Sequence, residues 1–299
     1  IMTFANMIDM LTVNPCIKTA MKASPHTFDS LLSDKLTADM LPNFIYGSYT
    51  GLAVTVFGLV PTITAMFGKS ILPSLAESCA KNDKKAMQSG LTKMLIVTSI
   101  IAIPAGMGIA VLSEPILRFL FGGRETEIQV CIMPMSILGI AVIFLAIATP
   151  CFSILQTLGK PHKAIIIMLA GGIIKLFLNI ILIRQPIINI SGAAISTLVS
   201  EVFICVLSVR SVCKMADLKP KVSEIFVKPT YAAIMCSVTA VLSHETLTKI
   251  AHLQINHRFV TLFSIGIGST MYFFCLYLLC ETPKNIVNYI FSKKNPQNP

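Results

Sequence analysis

Tryptophan is absent from this 299-residue chain, and charged residues make up only 13% of it. A soluble domain carries about 25% charged residues. With 54% hydrophobic residues, the chain has more apolar surface than a soluble fold of this size can hide. No glycine-rich Walker A loop, no Gly-x-Ser-x-Gly elbow and no His-Glu-x-x-His motif occurs, so nucleotide hydrolysis, serine hydrolase chemistry and zinc peptidase chemistry lack their usual signatures. No paired catalytic carboxylates stand out either. The chain reads as a non-enzyme without cofactor, catalytic residues or metal site. Nine cysteines are present without a Cys-x-x-Cys pair. Most lie inside apolar segments (Cys131, Cys151, Cys205, Cys236, Cys275), which favours small buried side chains over disulfides or ligands. His244, His252 and His257 fall in one stretch between apolar runs and read as solvated loop residues on the exterior face.

What the chain does have is long apolar runs. A membrane-spanning helix needs about 20 mostly apolar residues, and eight segments can be drawn: 1–13, 44–77, 93–121, 128–158, 164–183, 187–209, 225–243 and 259–280. They are continuous rather than alternating, which argues against a transmembrane β-barrel. The expected fold is therefore all-α, a polytopic membrane bundle of about eight spans. The second segment is too long for one straight crossing. Gly58, Pro61, Gly68 and Pro73 are placed to bend it, Pro73 most of all. Gly171, Gly172, Gly192, Ala193 and Ala194 suit close helix–helix contact. With no tryptophan, an interfacial belt would rest on tyrosines such as Tyr46 and Tyr277. Residues 14–43 form a polar exterior excursion with a short amphipathic helix over "HTFDSLLSDKLTADML". Residues 217–228 read as a linker and "SKKNPQNP" as a frayed tail.

The net charge of +10 would suit nucleic acid, but the basic residues are dispersed over short loops. Counting Lys and Arg, 14 fall in loops 81–93, 160–163, 210–228 and 284–294, and eight fall on the other side. Lys69 and Lys175 lie within spans. The positive-inside rule then explains the charge and places the C-terminus in the cytoplasm. No nucleic-acid partner is implied; membrane lipids are. The chain opens at Ile1 inside an apolar run, with no charged leader region, so it is expected to be a fragment of a longer polytopic protein.

Ionisable residues at bilayer depth mark polar pathways or sites by default. Lys175 lies near mid-depth in "HKAIIIMLAGGIIKLFLNIILI", and Asn179 is one turn on, sharing its face. Glu201 lies in "ISGAAISTLVSEVFICVL". At about 1.5 Å per residue, the two charges differ in depth by several ångströms. A direct bridge needs a long side chain. Asp9, in "ANMIDML", is either a carboxylate that binds a cation or pairs with a base, or an interfacial helix-end residue. Glu114 and Arg118 are spaced as an i,i+4 surface pair. Arg124, Glu125 and Glu127 read as solvated loop charges.

Four stretches together carry a resemblance. They are "NFIYGSYTGLAVTVFGLVPTITAMFGKSILPSLAESCAKNDKKA", "GMGIAVLSEPILRFLFGG", the turn "ILQTLGKPHKA", and the helix pair "IIKLFLNIILI" and "INISGAAISTLVSE". In that order they resemble the polysaccharide biosynthesis/stage V sporulation protein B family. That family lies within the multidrug/oligosaccharidyl-lipid/polysaccharide exporter superfamily, where the lipid II flippases are near relatives. The resemblance covers about residues 1–213. It implies two six-helix lobes around a central cavity, with this chain holding the second. Residues 1–213 would be that lobe, its first helix truncated. Residues 214–299 would be a linker, two extra helices and a tail.

The N-terminal lobe, with the basic residues expected to grip a pyrophosphate, would be a missing partner. The implied function is a flippase or exporter in a bacterial cytoplasmic membrane, moving a lipid-linked glycan precursor. It would be driven by Na⁺, H⁺ or the membrane potential. Asp9, Lys69, Lys175, Asn179 and Glu201 become candidates for the substrate or ion pathway. Lys69 would sit near the cytoplasmic mouth, or simply snorkel. Lys175 would be a cavity cation, with Glu201 as its structural partner. The alternatives are a cation-coupled multidrug antiporter of the same superfamily, and a non-transporting scaffold or truncated remnant.

Overall fold

The computed structural model describes residues 2–24, 37, 39–81, 83–217, 223–251 and 257–279. All regular structure among them is helical. The amphipathic helix expected over "HTFDSLLSDKLTADML", His252 and the tail "SKKNPQNP" lie wholly or mainly outside the described residues.

The first helix, α1 (Met2–Ala23), runs ten residues past the apolar stretch ending at Val13. Its polar residues do not stop it because they share one side. Pro15, Lys18 and Thr19 are exposed while Val13, Cys16, Ile17 and Ala20 are buried, a helical spacing that extends the packed face. Residues 14–23 are therefore helix rather than loop.

The long second segment resolves into α2 (Leu41–Ser48), a π-helical turn over Tyr49–Val54, a short α3 (Thr55–Phe57) and α4 (Leu59–Ala80). The interruption is at Gly58, not Pro73, through which α4 continues. Pro61 sits in the first turn of α4, where a missing N–H costs nothing.

Helix α5 (Lys84–Val111) begins inside the expected loop "AKNDKKAMQSG". The Asp83 side chain caps it by accepting from the Ala86 amide at 3.0 Å. It ends at Val111 rather than near residue 121. The Pro115 ring would clash with the carbonyl four residues back, and the chain restarts as α6 (Ser113–Phe121).

Helix α7 (Glu125–Thr157) contains Pro134 and Pro150. It closes in a Schellman motif. Gly159 adopts φ +70°, its amide donates to Gln156 O at 3.2 Å, and Lys160 N donates to Leu155 O at 3.0 Å. Pro161 then opens α8 (Pro161–Leu182), which is the structural content of the Gly-Lys-Pro turn. Helix α9 (Ser191–Met215) follows, then a π-helical turn (Ser223–Val227), α10 (Lys228–Ala251) and α11 (His257–Leu279). His244 thus lies within α10 and His257 opens α11, so neither is a loop residue.

Seven stretches among the described residues are long and apolar enough to cross a membrane; α1 is not one of them but packs on α8 as an eighth long helix. Helix α7 is the centre, touching α4, α5, α9 and the first π-helical turn. Where α5 crosses it, Gly106 and Gly139 bring the backbones together. A Cβ on Gly139 would stand 2.5 Å from Ala110 N. Helices α10 and α11 pair with each other, and α10 leans on α5. Tyr272 of α11 donates to Ile100 O at 2.8 Å. Gln88 ties the start of α5 to the end of α9 through Ala216 O and Asp217 O, at 3.1 and 3.0 Å. The outer surface is apolar: Ile166, Ile173 and Phe177 of α8 are all exposed. A multi-pass membrane protein solvates such a face with lipid rather than water.

Candidate functional site: a closed polar network between α1, α8 and α9

Helix α8 is inverted relative to a soluble helix. Its outward face carries Ile166, Ile173 and Phe177, while its inward face carries Gly171, Gly172, Lys175 and Asn179. The two glycines admit neighbours. A Cβ on Gly171 would meet Ile204 of α9 at 2.4 Å, and one on Gly172 would meet Phe4 of α1 at 2.3 Å. Both helices therefore approach α8 where its polar residues point.

Helix α1 answers with Asp9, which is 2% exposed although Met10 beside it is 68% exposed. The Lys175 ammonium donates to Asp9 Oδ2 at 2.8 Å and to Ala5 O at 3.2 Å. Asn179 Nδ2 donates to Asp9 Oδ1 and to Thr12 Oγ1, both at 2.9 Å. Thr12 in turn donates to Ile8 O at 2.7 Å. On the α9 side, Ser196 donates to Asn179 Oδ1. Both Asp9 oxygens and both Asn179 amide protons thus have partners, which is the condition for a buried ion pair to be tolerated. The network joins residues 166 to 170 positions apart in sequence.

Glu201 stands beside this network without joining it. It is 1% exposed on α9, and its Oε2 accepts no hydrogen bond among the described residues. It lines a small cleft with Asp9, Lys175, Tyr49, Thr197 and Leu138. The cleft volume, about 10 Å³, is roughly the room one water molecule needs. A glycolipid head group does not fit there in this conformation.

The structure gathers four of the five sequence candidates: Asp9, Lys175, Asn179 and Glu201. Lys69 is exposed on α4 and does not line the cleft. The partner of Lys175 is Asp9, not Glu201. Thr12 and Ser196 escaped the sequence reading. The signal for Thr12 was its i+3 spacing from Asp9, which places it on the same helix face. Ser196 carried no comparable signal. At the far end of the bundle, Arg118 pairs with Glu114 at 2.9 Å as its spacing predicts, and also with Glu125 at 2.5 Å. Glu125 and Glu127 are first-turn residues of α7 rather than loop charges, where acidic groups suit the helix dipole.

Comparison with known proteins agrees with this architecture. The lipid II flippase MurJ of Bacillus subtilis (strain 168) is 21% identical over 225 residues, covering 73% of this chain and 40% of that protein. Stage V sporulation protein B of the same organism is 22% identical over 184 residues, covering 60% of this chain and 34% of that protein. This chain therefore spans less than half the length of these relatives. The solved structure of lipid II flippase MurJ in an inward closed conformation superposes with a TM-score of 0.64 at 18% identity. It covers 82% of this chain and 50% of that one, and shares the helical fold. The family profile described as lipid II flippase MurJ matches residues 44–263, most of the chain, so the chain belongs to the lipid II flippase MurJ family.

Proposed function

We propose that this chain is the second lobe, with two additional helices, of a flippase that carries a lipid-linked glycan precursor across the cytoplasmic membrane. Family membership supports the reading, and the observation that carries it is the closed Asp9–Lys175–Asn179 network at the meeting of α1, α8 and α9. Buried ionisable groups in a helix bundle are expensive, and function is the usual reason for keeping them. The lobes would rock about a cavity between them, exposing it to each side in turn. The lipid tail would stay in the bilayer while the anionic head group crossed. The excess of basic loops on one side supports a cytoplasmic C-terminus. An ion gradient or the membrane potential would supply the drive.

In this scheme Asp9 and Lys175 are positioning residues. They hold α1 against α8 and α9 in the packed state, and their separation would accompany rearrangement of the lobe. The test is a flipping assay on the full-length protein in proteoliposomes, with a fluorescent lipid-linked saccharide. Wild type should move the probe, and Asp9→Ala and Lys175→Ala should slow it at least tenfold. Normal transport in both variants would remove the network from the mechanism. Failure of the wild type with every lipid-linked saccharide tried would sink the flippase reading itself.

A further inference from the structure

The cleft beside the network holds one cation and two carboxyl groups. Lys175 is committed to Asp9 at 2.8 Å, with side chains only 2% and 4% exposed. That pair is neutral as a unit. Glu201 is the remaining carboxyl, 1% exposed, with Oε2 unpartnered among the described residues. An ionised Glu201 would leave one uncompensated negative charge in a site with about one water's worth of space. Burying an unpaired carboxylate is far costlier than neutralising it with a proton.

Among the described residues no second cation lines the cleft. From α1 the facing titratable group is Asp9, from α8 it is Lys175, and from the π-helical turn it is Tyr49. From α7 the cleft wall is the apolar Leu138, the thiols of Cys131 and Cys151 lying elsewhere on that helix. Along α9 itself the nearest is Cys205, one turn on and buried. Among the described residues, the only positive charge lining the cleft is the one Asp9 already holds.

We propose that Glu201 is a proton-binding site, whose carboxyl takes up and releases a proton in the cleft it shares with Asp9 and Lys175. We further assign this proton as the ion that drives transport, an assignment that rests on the flippase reading above. With the proton on Glu201, Lys175 stays with Asp9 and α1 is locked to α8. When the proton passes from the carboxyl to a water in the cleft, two carboxylates compete for one ammonium. Lys175 is then drawn toward α9 and its hold on α1 weakens. The proton thus sets the strength of the α1–α8 contact. Release from that water to the aqueous phase on one side of the membrane, and uptake by Glu201 from the other, restore the first state, so each cycle moves one proton across and atoms and charge balance.

The site can be read without transport. Infrared difference spectroscopy on the purified full-length protein reports the C=O stretch of a protonated carboxyl. At neutral pH exposed carboxylates are ionised, so the expected wild-type spectrum retains a buried-carboxyl band that disappears reversibly at higher pH. Glu201→Gln should abolish that band, with folding confirmed by a thiol-dye melt. Asp9→Asn should weaken it at fixed pH, because the freed Lys175 ammonium then favours the Glu201 carboxylate. A wild type without such a band, or a band that survives Glu201→Gln, overturns the proposal. So does a band erased by adding sodium at constant pH, which would make the ligand a metal cation. The coupling assignment has its own arm. Flipping by wild type should rise with an imposed proton gradient and that of Glu201→Gln should not respond. A Glu201 band combined with gradient-insensitive flipping overturns the coupling alone and leaves the flippase reading standing. A Glu201 band in a wild type that flips nothing overturns the flippase reading, and the coupling with it, while the proton site stands.

Discussion

Two ion pairs of nearly the same length have opposite meanings in this molecule. Lys175 and Asp9 meet at 2.8 Å with side chains 2% and 4% exposed. Arg118 and Glu114 meet at 2.9 Å with side chains 42% and 48% exposed. The first joins helices 166 residues apart in sequence, inside the bundle. The second joins neighbouring turns of one short helix at its end. Distance alone does not distinguish them; the medium does. Water already solvates the surface charges, so their pairing changes little. Inside the bundle the pair compensates itself, so loss of Lys175 strands the Asp9 carboxylate, and loss of Asp9 leaves the ammonium only the Glu201 carboxyl to turn to.

The largest expected effect tests that contrast directly. Lys175→Ala should lower stability by about 3–5 kcal/mol, because it leaves the Asp9 carboxylate as an uncompensated buried charge; Asp9→Ala should cost less, because the Glu201 carboxyl in the same cleft can ionise to answer Lys175. The six described cysteines that are buried supply the readout. A thiol-reactive dye followed through a thermal melt in detergent should show a markedly lower midpoint. The double variant Asp9→Asn/Lys175→Met removes both charges together and should recover part of the loss, a non-additivity expected only of partners in contact. Additive losses would mean that the two charges act independently, which the geometry does not allow.

A smaller effect is expected where the network is neutral. Asn179→Ala deletes the side chain that serves Asp9, Thr12 and Ser196 together. Each buried polar group left unpaired costs about 1–3 kcal/mol, less where a water can enter. The same melt should place this variant between wild type and the charge deletions. A midpoint equal to wild type would mean that water replaces the amide at all three contacts.

How much of this could be read beforehand varies from helix to helix. On α8 the pattern was open to inspection. Lys175 and Asn179 are four apart, the glycines lie one turn earlier, and a helical period places them on one face. On α1 Asp9 could be singled out, but neither its depth nor its partner could. Pairing between Asp9 and Lys175 depends on how deep α1 sits beside α8, and no local spacing encodes that depth. Glu201 was the nearer choice along the chain because α8 and α9 form a hairpin. The packing of α1 against α8, beside that hairpin, is a tertiary fact. The ends of α1 and α5 were misread for a shared reason. Asn14, Lys18, Lys84 and Lys85 look like loop residues by composition, yet they ride on helices whose other face is packed or capped.

Gly172 offers a way to separate the charge from the contact that positions it. A methyl group there would meet the Phe4 ring at 2.3 Å and Ile8 at 3.2 Å. The ring edge can yield, but only by pushing α1 away from α8. Overpacking of this kind costs about 1–3 kcal/mol. Gly172→Ala substitutes no network residue, so a loss of stability would originate in helix spacing rather than in a deleted charge. Combined with Lys175→Ala the two losses should be less than additive, because a displaced α1 has already weakened the ion pair.

The smallest effect belongs to the surface pair. Arg118→Ala removes both contacts, to Glu114 and to Glu125. Exposed pairs contribute about 0.2–1 kcal/mol, and the double contact puts this one toward the upper end of that range. The side chain also covers part of the join between α6 and α7, so some of the loss would be packing rather than charge. Salt separates the two. At high ionic strength the electrostatic share is screened, and the gap between Arg118→Ala and wild type should narrow. The gap for Lys175→Ala should persist, because mobile ions do not reach a pair with 2% and 4% exposure. Equal salt sensitivity in the two variants would mean that the Lys175–Asp9 site is open to water, and the closed network would then be the wrong description of it.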